Sequence, residues 1–135
     1  MDRSWEARVM AVGVRYIVHD VEAAVGFYTE RLGFRLEMGP VPGFAILARG
    51  DLRLFLNQPG AGGAGHAGEQ DGAPPAPGGW SRFQLVVEDL DEEIERLRGA
   101  GATFRGDVAE GAGGRQALVE DPSGNPVELF EPARR

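Results

Sequence analysis

The sequence predicts an α+β protein made of two β-α-β-β-β modules, and three observations carry that prediction. The chain states one pattern twice: Asp20-Val21-Glu22-Ala23-Ala24-Val25 leads to Leu32-Gly33-Phe34, and Asp89-Leu90-Asp91-Glu92-Glu93-Ile94 leads to Ala100-Gly101-Ala102. In each copy an apolar, strand-like run precedes the Asp and an amphipathic helix follows it. A stretch rich in glycine and proline, residues 58–79, separates the copies. A repeat of about 69 residues is too long for a solenoid unit and too short for two ordinary independent domains. Two such halves are expected to share one core, and a pocket where they meet is the first place to look for function.

Residues 1–11 read as a loosely attached arm. Val12 to His19 is rich in β-branched and aromatic residues and predicts a strand. Asp20 is a good N-cap, and the helix it opens runs to about Leu32 with Val21, Val25, Tyr28 and Leu32 on one stripe. Gly33 suits the residue after a helix C-terminus. Phe34 to Met38 predicts a strand and Pro40 to Gly43 a turn. Phe44 to Arg49 and Leu52 to Asn57 predict two strands of a hairpin turning at Gly50-Asp51. Module one is therefore 12–57.

The connector, 58–79, holds eight glycines and four prolines in 22 positions. Its few large apolar groups bury too little to offset ordering entropy, so a flexible link is expected. It has no G-x-x-x-x-G-K-[ST] and gives no sign of nucleotide binding. Module two, 80–132, resumes with a strand over Arg82 to Val87. Asp89 with Glu92 makes a capping box, and Leu90, Ile94 and Leu97 stripe the second helix. Gly99 and Gly101 close it. Strands follow over Thr103 to Arg105, Gln116 to Glu120 and Pro126 to Glu131, with turns at Gly111 to Gly114 and Asp121 to Asn125.

At 42% hydrophobic and 26% charged, the 135-residue chain has an ordinary globular composition. No apolar run approaches the roughly 18 residues of a membrane span, and the start lacks a secretory signal, so a cytoplasmic protein with no membrane partner is expected. A net charge of −7 argues against nucleic acid as a partner. The absence of cysteine excludes disulfides, thiol catalysis and thiolate metal sites. All 14 basic residues are Arg, which excludes lysine Schiff-base and P-loop chemistry.

Two segments then carry a resemblance. Phe27-Tyr28-Thr29-Glu30-Arg31-Leu32-Gly33-Phe34 and Asp121-Pro122-Ser123-Gly124-Asn125-Pro126-Val127-Glu128-Leu129-Phe130-Glu131-Pro132 are similar to signature segments of the vicinal oxygen chelate superfamily. That group includes glyoxalase I, extradiol dioxygenases and bleomycin-resistance-type binding proteins. The resemblance covers roughly 12–132 and implies one domain over 12–135, its paired modules forming curved mixed sheets around a shared concave cavity. It also implies a homodimer. In the enzymes of the superfamily, four inner-face positions hold a divalent metal, and the motifs place them at Gly13, Arg53, Arg82 and Glu128. Internal spacing agrees: Gly13 and Arg82 each lie seven residues before a capping Asp, and Leu52-Arg53-Leu54-Phe55 matches Val127-Glu128-Leu129-Phe130.

Of these four, only Glu128 can ligate a metal, because glycine has no side chain and arginine stays protonated. The expectation is a site with neither metal nor cofactor, in which Glu128 is the bidentate partner of Arg82, Arg53 or both. Two readings of that group are compatible: an anchor for a polar or anionic ligand, and an internal ion-pair network. Gln84 shares the face of Arg82 by period-2 alternation. Phe55, Phe130 and Trp80 are candidate apolar walls, with core packing the plainer role for the two phenylalanines, and Gln116 is a further wall candidate. Arg15 lines the pocket or pairs with a helix carboxylate, the latter being favoured. His19 and His66 do not form a His-His-carboxylate triad. The expected function is metal-independent binding of a small organic, aromatic or natural-product-like molecule. The alternative is a glyoxalase-like lyase, an isomerase or a dioxygenase, with Glu128 as the candidate general base of a metal-free version.

Overall fold

A computed structural model describes residues 12–61 and 74–134. The expected arm, His66 and the middle of the connector lie outside the described residues. The chain divides into two compact units between Ala76 and Pro77.

The first unit runs β1 (Val12–Ile17), α1 (Val21–Arg31), β2 (Arg35–Val41), β3 (Phe44–Arg49) and β4 (Leu52–Asn57). The second runs β5 (Gln84–Val86), α2 (Leu90–Gly99), β6 (Thr103–Gly111), β7 (Gly114–Glu120) and β8 (Pro126–Pro132). Each unit is one four-stranded mixed sheet, ordered β1-β4-β3-β2 and β5-β8-β7-β6. In both, the first strand lies parallel to the last and the other pairs are antiparallel. Parallel neighbours need a long crossover, which the helix and two hairpin-linked strands supply. The expected pair of β-α-β-β-β modules is therefore present.

Strand alternation sorts the side chains between two faces. In β4, Leu54 and Leu56 are fully buried, while Arg53 and Phe55 on the other face are half-buried. In β8, Val127 and Leu129 are buried on the helix-packed side, and Glu128 and Phe130 point the other way. Helix stripes complete the two cores: Val21, Ala24, Tyr28 and Leu32 in and beside α1, and Leu90, Ile94 and Leu97 in α2. Ala24 takes the inward place expected of Val25, which is half-buried. Tyr28 packs edge-on between the rings of Phe27 and Phe34. Each helix is capped by its Asp: Asp20 Oδ1 accepts from Glu22 N at 3.0 Å, and Asp89 Oδ1 from Glu92 N at 3.1 Å. Such caps contribute about 1 kcal/mol each.

Several boundaries differ from expectation; β1 ends at Ile17 rather than His19, and β7 begins at Gly114 rather than Gln116. The turn expected over Pro40–Gly43 closes on Pro42 and Gly43, and β2 continues through Pro40 to Val41. β2 is a sheet edge with two register shifts, so a missing proline N–H costs no ladder bond there. β6 extends past Arg105 to Gly111 by absorbing a shift between Arg105 and Ala109. β5 is confined to three residues, because only Gln84, Leu85 and Val86 find ladder partners on β8.

Candidate functional site

The helix-free face of each sheet collects the chemistry. In module two, Glu128 is buried and both carboxylate oxygens are engaged. Oε1 accepts from Arg82 Nε at 3.0 Å and Oε2 from Gln84 Nε2 at 2.6 Å. Gln84 is the ladder partner of Glu128, which puts the two side chains on the same face. The Arg82 and Glu128 side chains are 26% and 11% exposed. At that depth a charge-assisted bond contributes about 1.5–3 kcal/mol.

Arg82 also donates to the Trp80 carbonyl at 3.2 Å. Trp80 is 66% exposed, yet its ring is held: the Arg105 guanidinium stacks on it, 4.6 Å from the ring centroid. Arg105 is fixed in turn by Glu120 at 3.1 Å, the Gly79 carbonyl at 2.5 Å and the Gly124 carbonyl at 2.8 Å. The loop that presents Gly124 is tied by Asp121, whose Oδ1 accepts from Ser123 N and Asn125 N. Asn125 Oδ1 then accepts from Gly78 N at 2.7 Å, pinning the start of the module. Gln116 and Phe130 face each other across the β7–β8 ladder, both half-buried.

Module one differs. Arg53 Nε pairs with Glu37 Oε2 at 2.9 Å, and Glu37 Oε1 accepts from Arg35 Nη2 at 2.9 Å. Glu128 was expected to partner Arg82, Arg53 or both; it meets Arg82, and the carboxylate that Arg53 meets is Glu37, delivered by β2. Arg15 was expected to pair with a helix carboxylate. Its Nη1 instead donates to Asn57 Oδ1 at 2.5 Å, and its guanidinium lies 4.9 Å from the Phe55 ring centroid. Gly13 makes room for that ring, since a Cβ there would stand 2.5 Å from Phe55 Cε2. His19 is exposed between β1 and α1.

The ladders also qualify the string match between β4 and β8. Arg15 and Gln84 each stand five residues before a capping Asp, and they pair with Phe55 and Glu128 respectively. In register, Phe55 holds in module one the place that Glu128 holds in module two.

Sequence reasoning missed Arg105 and Asn57. Asn57 was legible as a polar residue closing an apolar strand; burial to 1% exposure is what gives it meaning. Arg105 becomes a site residue only through the hairpin that brings Gly124 and Glu120 to it. Away from these faces, Arg115 on β7 bonds Asp91 of α2 at 2.8 Å, and this bond with the guanidinium charge holds the Asp91 carboxyl below its ordinary value of 3.8. Hollows of about 660 Å³ beside α2 and about 270 Å³ near the β6–β7 turn include none of the candidate residues. Within each module the candidate residues gather on the helix-free face of the sheet.

The family model described as the Glyoxalase/Bleomycin resistance protein/Dioxygenase superfamily matches residues 10–129. The chain belongs to this superfamily. No curated protein matches the sequence. Among solved structures, a member of this superfamily from Sphaerobacter thermophilus DSM 20745 is 26% identical with a TM-score of 0.71, over 91% of this chain and 97% of that one. TnmS3, an antibiotic binding protein from Streptomyces sp. CB03234, is 27% identical with a TM-score of 0.67, over 93% and 97%. The bleomycin-binding protein of bleomycin-producing Streptomyces verticillus, in complex with copper(II)-bleomycin, is 25% identical with a TM-score of 0.59, over 93% and 98%.

The superfamily's metal can be tested against the donor set. The four positions implied by the resemblance hold Gly13, Arg53, Arg82 and Glu128, and the one carboxylate among them accepts a hydrogen bond on each oxygen. Among the described residues no three His, Asp or Glu side chains gather where they could hold a metal ion. These residues do not fit a divalent cation, because a guanidinium beside Glu128 already supplies the positive charge. No helix among the described residues is long and apolar enough to cross a membrane.

Proposed function

We propose that the chain binds a small organic molecule, aromatic or natural-product-like, on its open sheet faces and without a metal ion. The observation that carries this reading is Trp80. A residue with a large apolar ring is left 66% exposed while guanidiniums hold its ring and the backbone beside it. Folding normally buries such a ring, and a rigid exposed one offers contact area at little entropic cost. Phe130, Gln116 and Gln84 supply the rest of the module-two surface, and Phe55 with Arg53 that of module one.

Likeness to an antibiotic binding protein and a bleomycin-binding protein supports binding as the function. Glu128 serves as the counter-charge that holds Arg82 and Gln84 in place. Each of its carboxylate oxygens accepts one hydrogen bond from the protein, which supports this positioning role. A homodimer is part of the reading. It is supported by Val12 and Val86, exposed on the edge strands β1 and β5.

The test is fluorescence. The chain has two tryptophans, so a Trp5→Phe variant leaves Trp80 alone to report. Titration with planar bicyclic aromatic compounds should give a saturable change in emission that Trp80→Phe weakens when followed by calorimetry. A flat response across the panel would contradict the reading.

A further inference from the structure

We propose that Arg15 is an anion anchor, taking the carboxylate of a planar aromatic acid on the open face of the first sheet. The inference rests on the small-molecule reading above and names the chemical class of the ligand.

Arg15 is exposed, yet its guanidinium is positioned from two sides. Asn57 Oδ1 accepts from Nη1, and Asn57 is itself 1% exposed and tied by its Nδ2 to the Ala61 carbonyl at 3.1 Å. The Phe55 ring lies against the guanidinium, and that ring is admitted by the missing side chain at Gly13. Asn57 is a neutral acceptor: it orients the guanidinium and leaves its charge intact. Among the described residues Arg15 has no carboxylate partner.

Its neighbours sharpen the point. Arg35, Arg53 and Glu37 share the face, so three guanidiniums meet one carboxylate there. The chain as a whole carries −7, so a local positive excess stands against the general charge. A fixed guanidinium with N–H groups to spare matches a carboxylate bidentately. The surroundings choose the rest of the ligand. Ile46 pairs with Phe55 in the ladder and Phe44 with Asn57, each half-buried on this face, which makes an apolar floor beside the charge.

The experiment uses 1-naphthoate and its near-isostere 1-naphthamide, with calorimetry on the full chain. The wild type should bind the acid at least about tenfold more tightly than the amide, the range of one charge-assisted hydrogen bond. Arg15→Gln should bring the two affinities within about twofold, chiefly by weakening the acid, and Arg98→Gln on α2 should keep the preference. Asn57→Asp gives the guanidinium a counter-charge in place, so it should abolish the preference with Arg15 still present. Retained preference in Arg15→Gln, or none in the wild type, would overturn the anchor. If neither naphthalene binds, the small-molecule reading fails for this class, and the anchor is read separately from the Arg15 Nε–Hε resonance during a benzoate titration. A saturable shift supports it and a silent resonance overturns it.

Discussion

The two modules share a fold and part company on one face. Their helix-packed sides are near copies: a capping Asp, an apolar helix stripe, and alternate buried residues on the last strand. On the open sides the charges are organised in opposite ways. Module two closes its charges internally, with Glu128 satisfied by Arg82 and Gln84, and with Arg105 spent on Glu120 and two carbonyls. Module one leaves a surplus, because Arg15 meets an amide where Gln84 meets a carboxylate. The difference teaches that burial constrains the duplicated core, whereas the helix-free face is free to diverge, with its charges paired internally in one half and an arginine held by a neutral amide in the other.

The core half of the comparison is the strongest place to break it. Leu56→Ala in β4 and Leu129→Ala in β8 remove side chains 0% and 2% exposed, and each should cost about 2–5 kcal/mol in chemical denaturation. A cost under about 1 kcal/mol in either would show that the two cores are not equivalent. Next in size is the carboxylate pair. Glu128→Gln removes the charge facing Arg82 at 26% exposure and should cost about 1–3 kcal/mol. Glu37→Gln acts where Arg35 is 72% exposed and should cost about 0–1 kcal/mol. Equal losses would erase the contrast between closed and open charge networks. Smallest is Asp91, which lies outside both faces. Its folded carboxyl titrates below 3.8, so its bond to Arg115 stabilises the fold above that value and is lost as pH falls through the lower folded one. Asp91→Asn should therefore lower stability slightly at neutral pH and flatten the acid limb of a stability–pH profile below 3.8, the variant and wild-type curves converging as pH falls through the folded value.

The fold was legible because its signals are local. Asp20 and Asp89 announce their helices by side-chain chemistry, and the period-2 pattern of Leu52 to Asn57 sets which residues turn inward. The pairing of Arg82 with Glu128 was also legible, since two strands of known order place an arginine and a glutamate on one face. What escaped depends on contacts between distant segments. Arg53 finds Glu37 because β2 runs at the sheet edge beyond β3. Arg105 stacks on Trp80 because the Asp121–Asn125 loop presents the Gly124 carbonyl to it. Arg15 turns to Asn57 because the parallel β1–β4 register places Asn57 on its own face, two residues beyond its partner Phe55. The string match of Arg53 with Glu128 follows sequence likeness, and the ladder shifts that likeness by two residues.

The claim that guanidiniums have replaced a cation on these faces is tested most directly by calorimetric titration of 1-naphthoate into the protein before and after exhaustive chelation, with elemental analysis of the same samples. The account predicts one affinity in both samples and no stoichiometric transition metal in either. Binding that vanishes on chelation and returns on adding back iron, zinc, nickel or manganese would contradict it.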